Sequence, residues 1–126
     1  FGPYYGDAQS GLEAFEATLA MLPSIEADHY VTYHHKGVVD GHDAFVAALA
    51  PFTAMIARRE QALLGMLATP QTFDELLAVG IVYRPGTRPP LFGDVIESNS
   101  IRMHLDRLVA DGDVVSDGTR YRLVND

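Results

Sequence analysis

The chain contains no cysteine, which removes disulfides, thiolate metal sites and a cysteine nucleophile, and it is compatible with a reducing cytoplasm. It has a single lysine, Lys36, and carries 17 acidic against 9 basic residues, for a net charge of −8. Affinity for nucleic acid rests on cations displacing counterions from phosphates, so this balance argues against a general DNA-binding role. No apolar run approaches the roughly 20 residues that span a bilayer, and no basic segment followed by an apolar stretch opens the chain. Neither a membrane anchor nor an export signal is expected. An initiator methionine is missing as well: the sequence opens Phe1-Gly2-Pro3-Tyr4-Tyr5-Gly6, and the expectation is that the front of a longer protein precedes it.

What the chain has in quantity is apolar surface. Hydrophobic residues make up 48% of the 126, well outside the low-hydrophobicity, high-charge regime of disordered chains. That length suits one ordinary core or two small units, since domains commonly run about 100–150 residues.

Ser10 with Glu13 spells a capping box, and Leu12, Phe15, Leu19 and Leu22 then repeat at helical spacing until Pro23, which predicts a helix over about 11–22. Its apolar face needs a partner surface. His29 to Tyr33 reads as a strand without a neighbour, and a lone strand cannot satisfy its own backbone. Residues 1–40 therefore read as a helix-strand piece of an α/β structure. From Asp40, taken as an N-cap, Phe45, Leu49, Phe52, Ile56, Leu63 and Leu67 carry a second apolar face, which Pro51 should kink or split. Thr72 with Glu75 opens a short helix that Gly80 closes, Ile81-Val82-Tyr83 is strand-like, and Arg84 to Pro90 is a loop. Val95, Ile101, Leu105 and Leu108 mark a helix over about 93–111, stopped by Gly112. Val114-Val115 and Tyr121 to Leu123 flank Asp117-Gly118, a hairpin signal. The fold class expected is mainly α with a small β component. Three helices followed by a β hairpin within about 52–125 spell a winged helix.

One stretch points to chemistry. Tyr33-His34-His35-Lys36-Gly37 sets two imidazoles where a strand passes into a loop, a frequent place for metal ligands. One such turn cannot close a zinc site, which wants about four ligands, and no other cluster at ligand spacing is present. Either the turn is an ordinary loop or the rest of the site lies outside this chain. His29 and His42 read as surface groups, and His104 as a packing residue with one hydrogen-bonded nitrogen. Glu13, Asp40, Asp43 and Glu75 read as caps.

In order and spacing, these residues resemble the C-terminal part of a metallo-β-lactamase-superfamily hydrolase with its associated winged helix. Tyr33-His34-His35-Lys36-Gly37-Val38-Val39 is similar to the superfamily's last metal-ligand turn, Pro-Gly-His-Gly followed by apolar residues. Arg58-Arg59-Glu60 with Leu63-Leu64 and Leu67, then Thr72, then Ser100-Ile101 with His104-Leu105 and Leu108, then Gly112 and Val114, match the winged helix. The resemblance implies that residues 1–40 end the hydrolase domain and that residues 41–126 are a linker helix and the winged-helix domain. It places His35 at the final metal-ligand histidine, serving the second metal, with His34 as the alternative, since His34 and Lys36 stand where the family has glycine. It also implies a zinc pair in the parent, which lowers the pKa of bound water and polarises a small-molecule substrate. The remaining ligands would lie before Phe1.

This chain alone is thus expected to be inactive and to hold no metal tightly. Its third winged-helix helix offers Asn99, Arg102, Met103, Asp106 and Arg107, and its wing offers Arg120 and Arg122. Asp94, Glu97, Asp111, Asp113 and Asp117 offset those cations, so no DNA-binding residue is assigned and a structural role is expected. The partners expected are the missing hydrolase domain and a second copy, covering the apolar face of the first helix in a homo-oligomer. The other open reading is a winged-helix regulator or protein-interaction module whose first 40 residues are a dimerisation arm.

Overall fold

The leucines of the first helical stripe form α1 over Leu12–Met21 in the computed structural model of the chain, which describes residues 2–32 and 37–124. The expected Ser10–Glu13 box is absent, because the N-cap position falls on Gly11, one residue too late for Ser10 to serve it. The chain turns into α1 at Asp7, whose carboxylate accepts from the Gln9 amide at 2.8 Å. Pro23 ends the run in a short 3-10 turn, Leu22–Ser24.

The expected lone strand has a partner. β1, His29–Thr32, pairs antiparallel with β2, Gly37–Asp40, placing His29 opposite Asp40 and Val31 opposite Val38. Reading Gly37 as the strand's end and Asp40 as a helix cap concealed this. The Asp40 carboxylate instead takes the His29 Nδ1 at 2.8 Å, and the Gly41 amide closes the hairpin on the Asp28 carbonyl. Alternation sets the two faces: Val31 and Val38 are exposed, while Tyr30 is buried and its ring stacks on Phe45 with centroids 4.0 Å apart.

α2 runs from His42 to Met66 without being split at Pro51. Ala47, whose carbonyl loses its amide partner, and Pro51 itself both face solvent, so the freed carbonyl is not buried unpaired. A two-residue strand β3, Gln71–Thr72, leads into α3, Phe73–Val79. Here the capping box is real: the Glu75 amide donates to Thr72 Oγ1 at 3.2 Å and the Thr72 amide to Glu75 Oε2 at 2.7 Å. α4, Gly93–Asp111, ends at Gly112, which takes a left-handed φ of 84°. β4, Val114–Ser116, and β5, Arg120–Leu123, form the expected hairpin, and β3 adds to β5 so that the sheet order is β3-β5-β4.

The whole is mainly helical with two small antiparallel sheets. One core gathers Leu63, Leu67, Leu76, Ile101, Leu105 and Leu108 between α2, α3 and α4. The other joins Tyr5, Leu12, Leu19 and Ile56, with Met103 of α4 packed against them. The first helix therefore finds its cover inside one chain, contrary to the expectation of an exposed apolar face. Burial of Leu12 and Leu19 contributes about 1.5–3 kcal/mol each.

Candidate functional site

Tyr33, His34, His35 and Lys36, the predicted metal turn, lie outside the described residues. On either side of them the strands pair Thr32 with Gly37, whose carbonyl accepts from Thr32 Oγ1 at 2.9 Å. His29 and Asp40 pair at the other end of the two strands, three residues or about 10 Å from Thr32 and Gly37. An open depression of about 400 Å3 is lined by Glu26, Ala27, Asp28 and His42. His42 is not a free surface group there, because its Nε2 lies 2.8 Å from the Pro23 carbonyl. Among the described residues no group of three His, Asp or Glu could hold a metal ion.

The densest polar chemistry is buried where residues 2–6 cross α2 and α4. The Tyr5 hydroxyl lies 2.7 Å from His104 Nε2, and His104 Nδ1 lies 2.9 Å from Glu60 Oε2. An ionised carboxylate can only accept, so Nδ1 carries the proton, Nε2 presents its lone pair and the tyrosine hydroxyl donates to it. Arg107 closes the row, donating to Glu60 Oε2 from Nε at 2.9 Å and from Nη2, and to Glu16 Oε2 from Nη1 at 2.6 Å. Hydroxyl, imidazole and carboxylate stand in the sequence of a nucleophile relay. Tyr5 and His104, however, are both fully buried, which leaves a substrate no approach, and the cluster acts as a fastening.

Electrostatics agree with that role. Burial pushes the Tyr5 phenol above its usual value, opposed by Arg59, whose guanidinium lies 5.2 Å from the ring centre. Burial also holds His104 below the usual imidazole value, against the pull of Glu60 and with the help of Arg107. For Glu60 burial alone would act upward, but the hydrogen bonds from His104 and Arg107 outweigh it and keep the carboxyl below its usual range. Arg107 is raised, because Glu60 and Glu16 overcome its own desolvation.

Several surface assignments change accordingly. His104 uses both ring nitrogens, not one. Arg107 is a salt-bridged and largely buried group, and Asn99 donates to the Gly6 carbonyl at 2.8 Å. Glu97 is fully buried and accepts the amides of Ile81, Val82 and Tyr83 at 2.5, 2.8 and 3.2 Å. Three successive amides directed at one carboxylate cannot alternate as in a strand, which is why 81–83 is not one. Arg102 lies over the Phe73 ring and Arg120 pairs with Glu75.

The buried bonding roles of Tyr5, Arg59, Glu60 and Glu97 escaped the sequence reading. The signal for three of them was present: Ile56, Arg59, Glu60 and Leu63 fall on one helical stripe, as do Glu97, Ile101, His104 and Leu108, so each polar member sits in an apolar row. No family model matches this chain, and no curated protein does.

Proposed function

We propose that this chain is the C-terminal part of a metal-dependent hydrolase of the metallo-β-lactamase superfamily, with a winged helix over 52–125 that serves as structural support. That support shapes the active-site mouth or a subunit contact. The observation that carries the reading is the joint order of elements and motif residues. Arg58-Arg59-Glu60 lies in α2, Thr72 caps α3, Ser100, His104, Leu105 and Leu108 lie in α4, and β4–β5 follows with β3 added to its edge. The motif residues Arg59, Ser100, His104, Leu105 and Leu108 are all buried, which favours a packing role over one at a surface. The cations of α4 and the wing are largely engaged, Arg107 by Glu60 and Glu16 and Arg120 by Glu75, so nucleic acid is not a partner in this reading.

His35, or His34 in its place, would give one ligand to the second zinc. The described residues do not themselves build a metal centre, and no chemical step is assigned to them. The preceding hydrolase domain, or a second copy, would cover Val31 and Val38 on the open face of the β1–β2 hairpin. No described helix is long and apolar enough to cross a membrane.

The test is the protein read on the N-terminal side of Phe1. A His-x-His-x-Asp-His run is expected there, and His34→Ala with His35→Ala should lower the metal retained through dialysis against a chelator. Absence of that run, or metal content unchanged by the double substitution, would remove the hydrolase reading.

A further inference from the structure

Residues 2–6 cross the chain as an extended strap without a ladder of their own, and side chains from α2 and α4 hold them at three points. Arg59 donates to the Pro3 carbonyl at 2.7 Å, His104 meets the Tyr5 hydroxyl at 2.7 Å, and Asn99 donates to the Gly6 carbonyl at 2.8 Å. The strap lies so close to α4 that a Cβ on Gly6 would come within 2.5 Å of the Ile96 carbonyl oxygen and 2.6 Å of Ser100 Oγ. Of the three anchors, only the one at His104 titrates in the physiological range.

We propose that the Tyr5–His104–Glu60 row is a proton-operated latch: uptake of one solvent proton by His104 releases the strap from α2 and α4 while the core around Leu63, Ile101 and Leu105 stays folded. The neutral imidazole satisfies every partner, because Nδ1–H donates to Glu60 and Nε2 accepts from Tyr5. A proton added at Nε2 turns that atom into a donor. The Tyr5 hydroxyl must then reverse and accept, and its own proton, in a fully buried position, loses the His104 acceptor; a buried donor that goes unsatisfied costs about 1–3 kcal/mol.

The surrounding charges act in both directions. From α2, Glu60 favours the added proton and Arg59 opposes it. From α4 itself, Arg107 opposes it with Nη2 only 3.4 Å from Nδ1, while Glu16 of α1 partly neutralises Arg107. Burial adds to the opposing side, and the net direction for His104 is downward. Buried protonation is therefore resisted, and acidification is relieved by letting the ring reach water. The strap covers the ring without backbone ladder bonds of its own, and one of its three anchors is the bond that the proton breaks. The latch is independent of the hydrolase reading, since none of its atoms belongs to the proposed metal turn.

Hydrogen exchange on the full chain tests it, with protection of residues 2–10 and of α4 corrected for intrinsic rates and compared at about pH 7.5 and about pH 5. Strap protection should fall about tenfold or more in the acid sample while amides around Ile101, Leu105 and Leu108 keep theirs. In His104→Gln, whose amide can donate and accept without titrating, the strap should show no such fall. Tyr5→Phe gives a second arm: with no hydroxyl proton to strand, its strap is looser at neutral pH and loses less on acidification. Three results would overturn the latch: a wild-type strap indifferent to pH, a His104→Gln or Tyr5→Phe strap that falls as far as wild type, or loss of α4 protection in step with the strap.

Discussion

An imidazole closed between a phenol and a carboxylate gives stability a definite pH dependence. His104 binds its proton less readily folded than unfolded, so its contribution is complete above about pH 6.5 and is lost as pH falls through and below that value. Glu60 is also depressed when folded, and its contribution is complete above about pH 4.5 and lost below. The two windows add in the same sense. Urea midpoints should be level near neutrality, decline once pH drops below about 6.5 and decline more steeply below about 4.5. A midpoint that rises between about pH 7 and pH 5 would contradict the His104 assignment, and one that rises below about pH 4.5 would contradict that of Glu60. The partners of this row were unequally legible. Glu60 and His104 stand in apolar helical stripes, where a polar residue marks a buried partner, but Tyr5 meets His104 across 99 positions, a pairing that no local pattern encodes.

Elements governed by neighbours a few residues apart were the ones that could be read. Thr72 with Glu75, Gly112 and Asp117-Gly118 each fix a cap or turn through backbone groups within four positions, and α3, α4 and the β4–β5 hairpin follow from them. Apart from the Ser10–Glu13 box, which missed its cap by one residue, misreadings arose where a distant group decided. The amides of 81–83 answer to Glu97 on another element, and β1 answers to β2, whose residues up to Asp40 read as loop and helix cap. The two kinds of fastening should differ in cost. Thr72→Ala removes one exposed cap and should destabilise by about 1 kcal/mol. Glu97→Gln keeps the shape but replaces one acceptor oxygen by a donor facing backbone amides, and should cost about 1–3 kcal/mol while quickening exchange at residues 81–83. Equal costs for the two in denaturant titrations would mean that the Glu97 site is hydrated in solution.

At the scale of the whole chain, α2 and α4 do double duty. The C-terminal part of α2 and one face of α4 enclose the lower core around Leu63, Leu76, Ile101 and Leu105, and Ile56 and Glu60 of α2 with Met103 and His104 on another face of α4 lie beneath the strap and α1. The reading of residues 52–125 as a winged helix left out this second surface, because an amphipathic stripe tells that a face is covered but not by what. A chain of residues 41–126 should keep the lower core, since none of its members comes from before Leu63. It should also expose Ile56 and Met103 as a new apolar patch and leave His104 and Glu60 without Tyr5 and the cover of α1. Such a patch seeks a partner, so light scattering of the shortened chain should show a mass that grows with concentration. Its unfolding free energy from denaturant titration should lie below that of the full chain by an amount of the order of the roughly 1.5–3 kcal/mol that each buried leucine contributes. Ile56→Asp in the shortened chain should restore a single mass, because it places a charge at the centre of the exposed face. A shortened chain as stable as the full one and monomeric at every concentration would mean that the strap and α1 only rest on this surface and do not help to hold it.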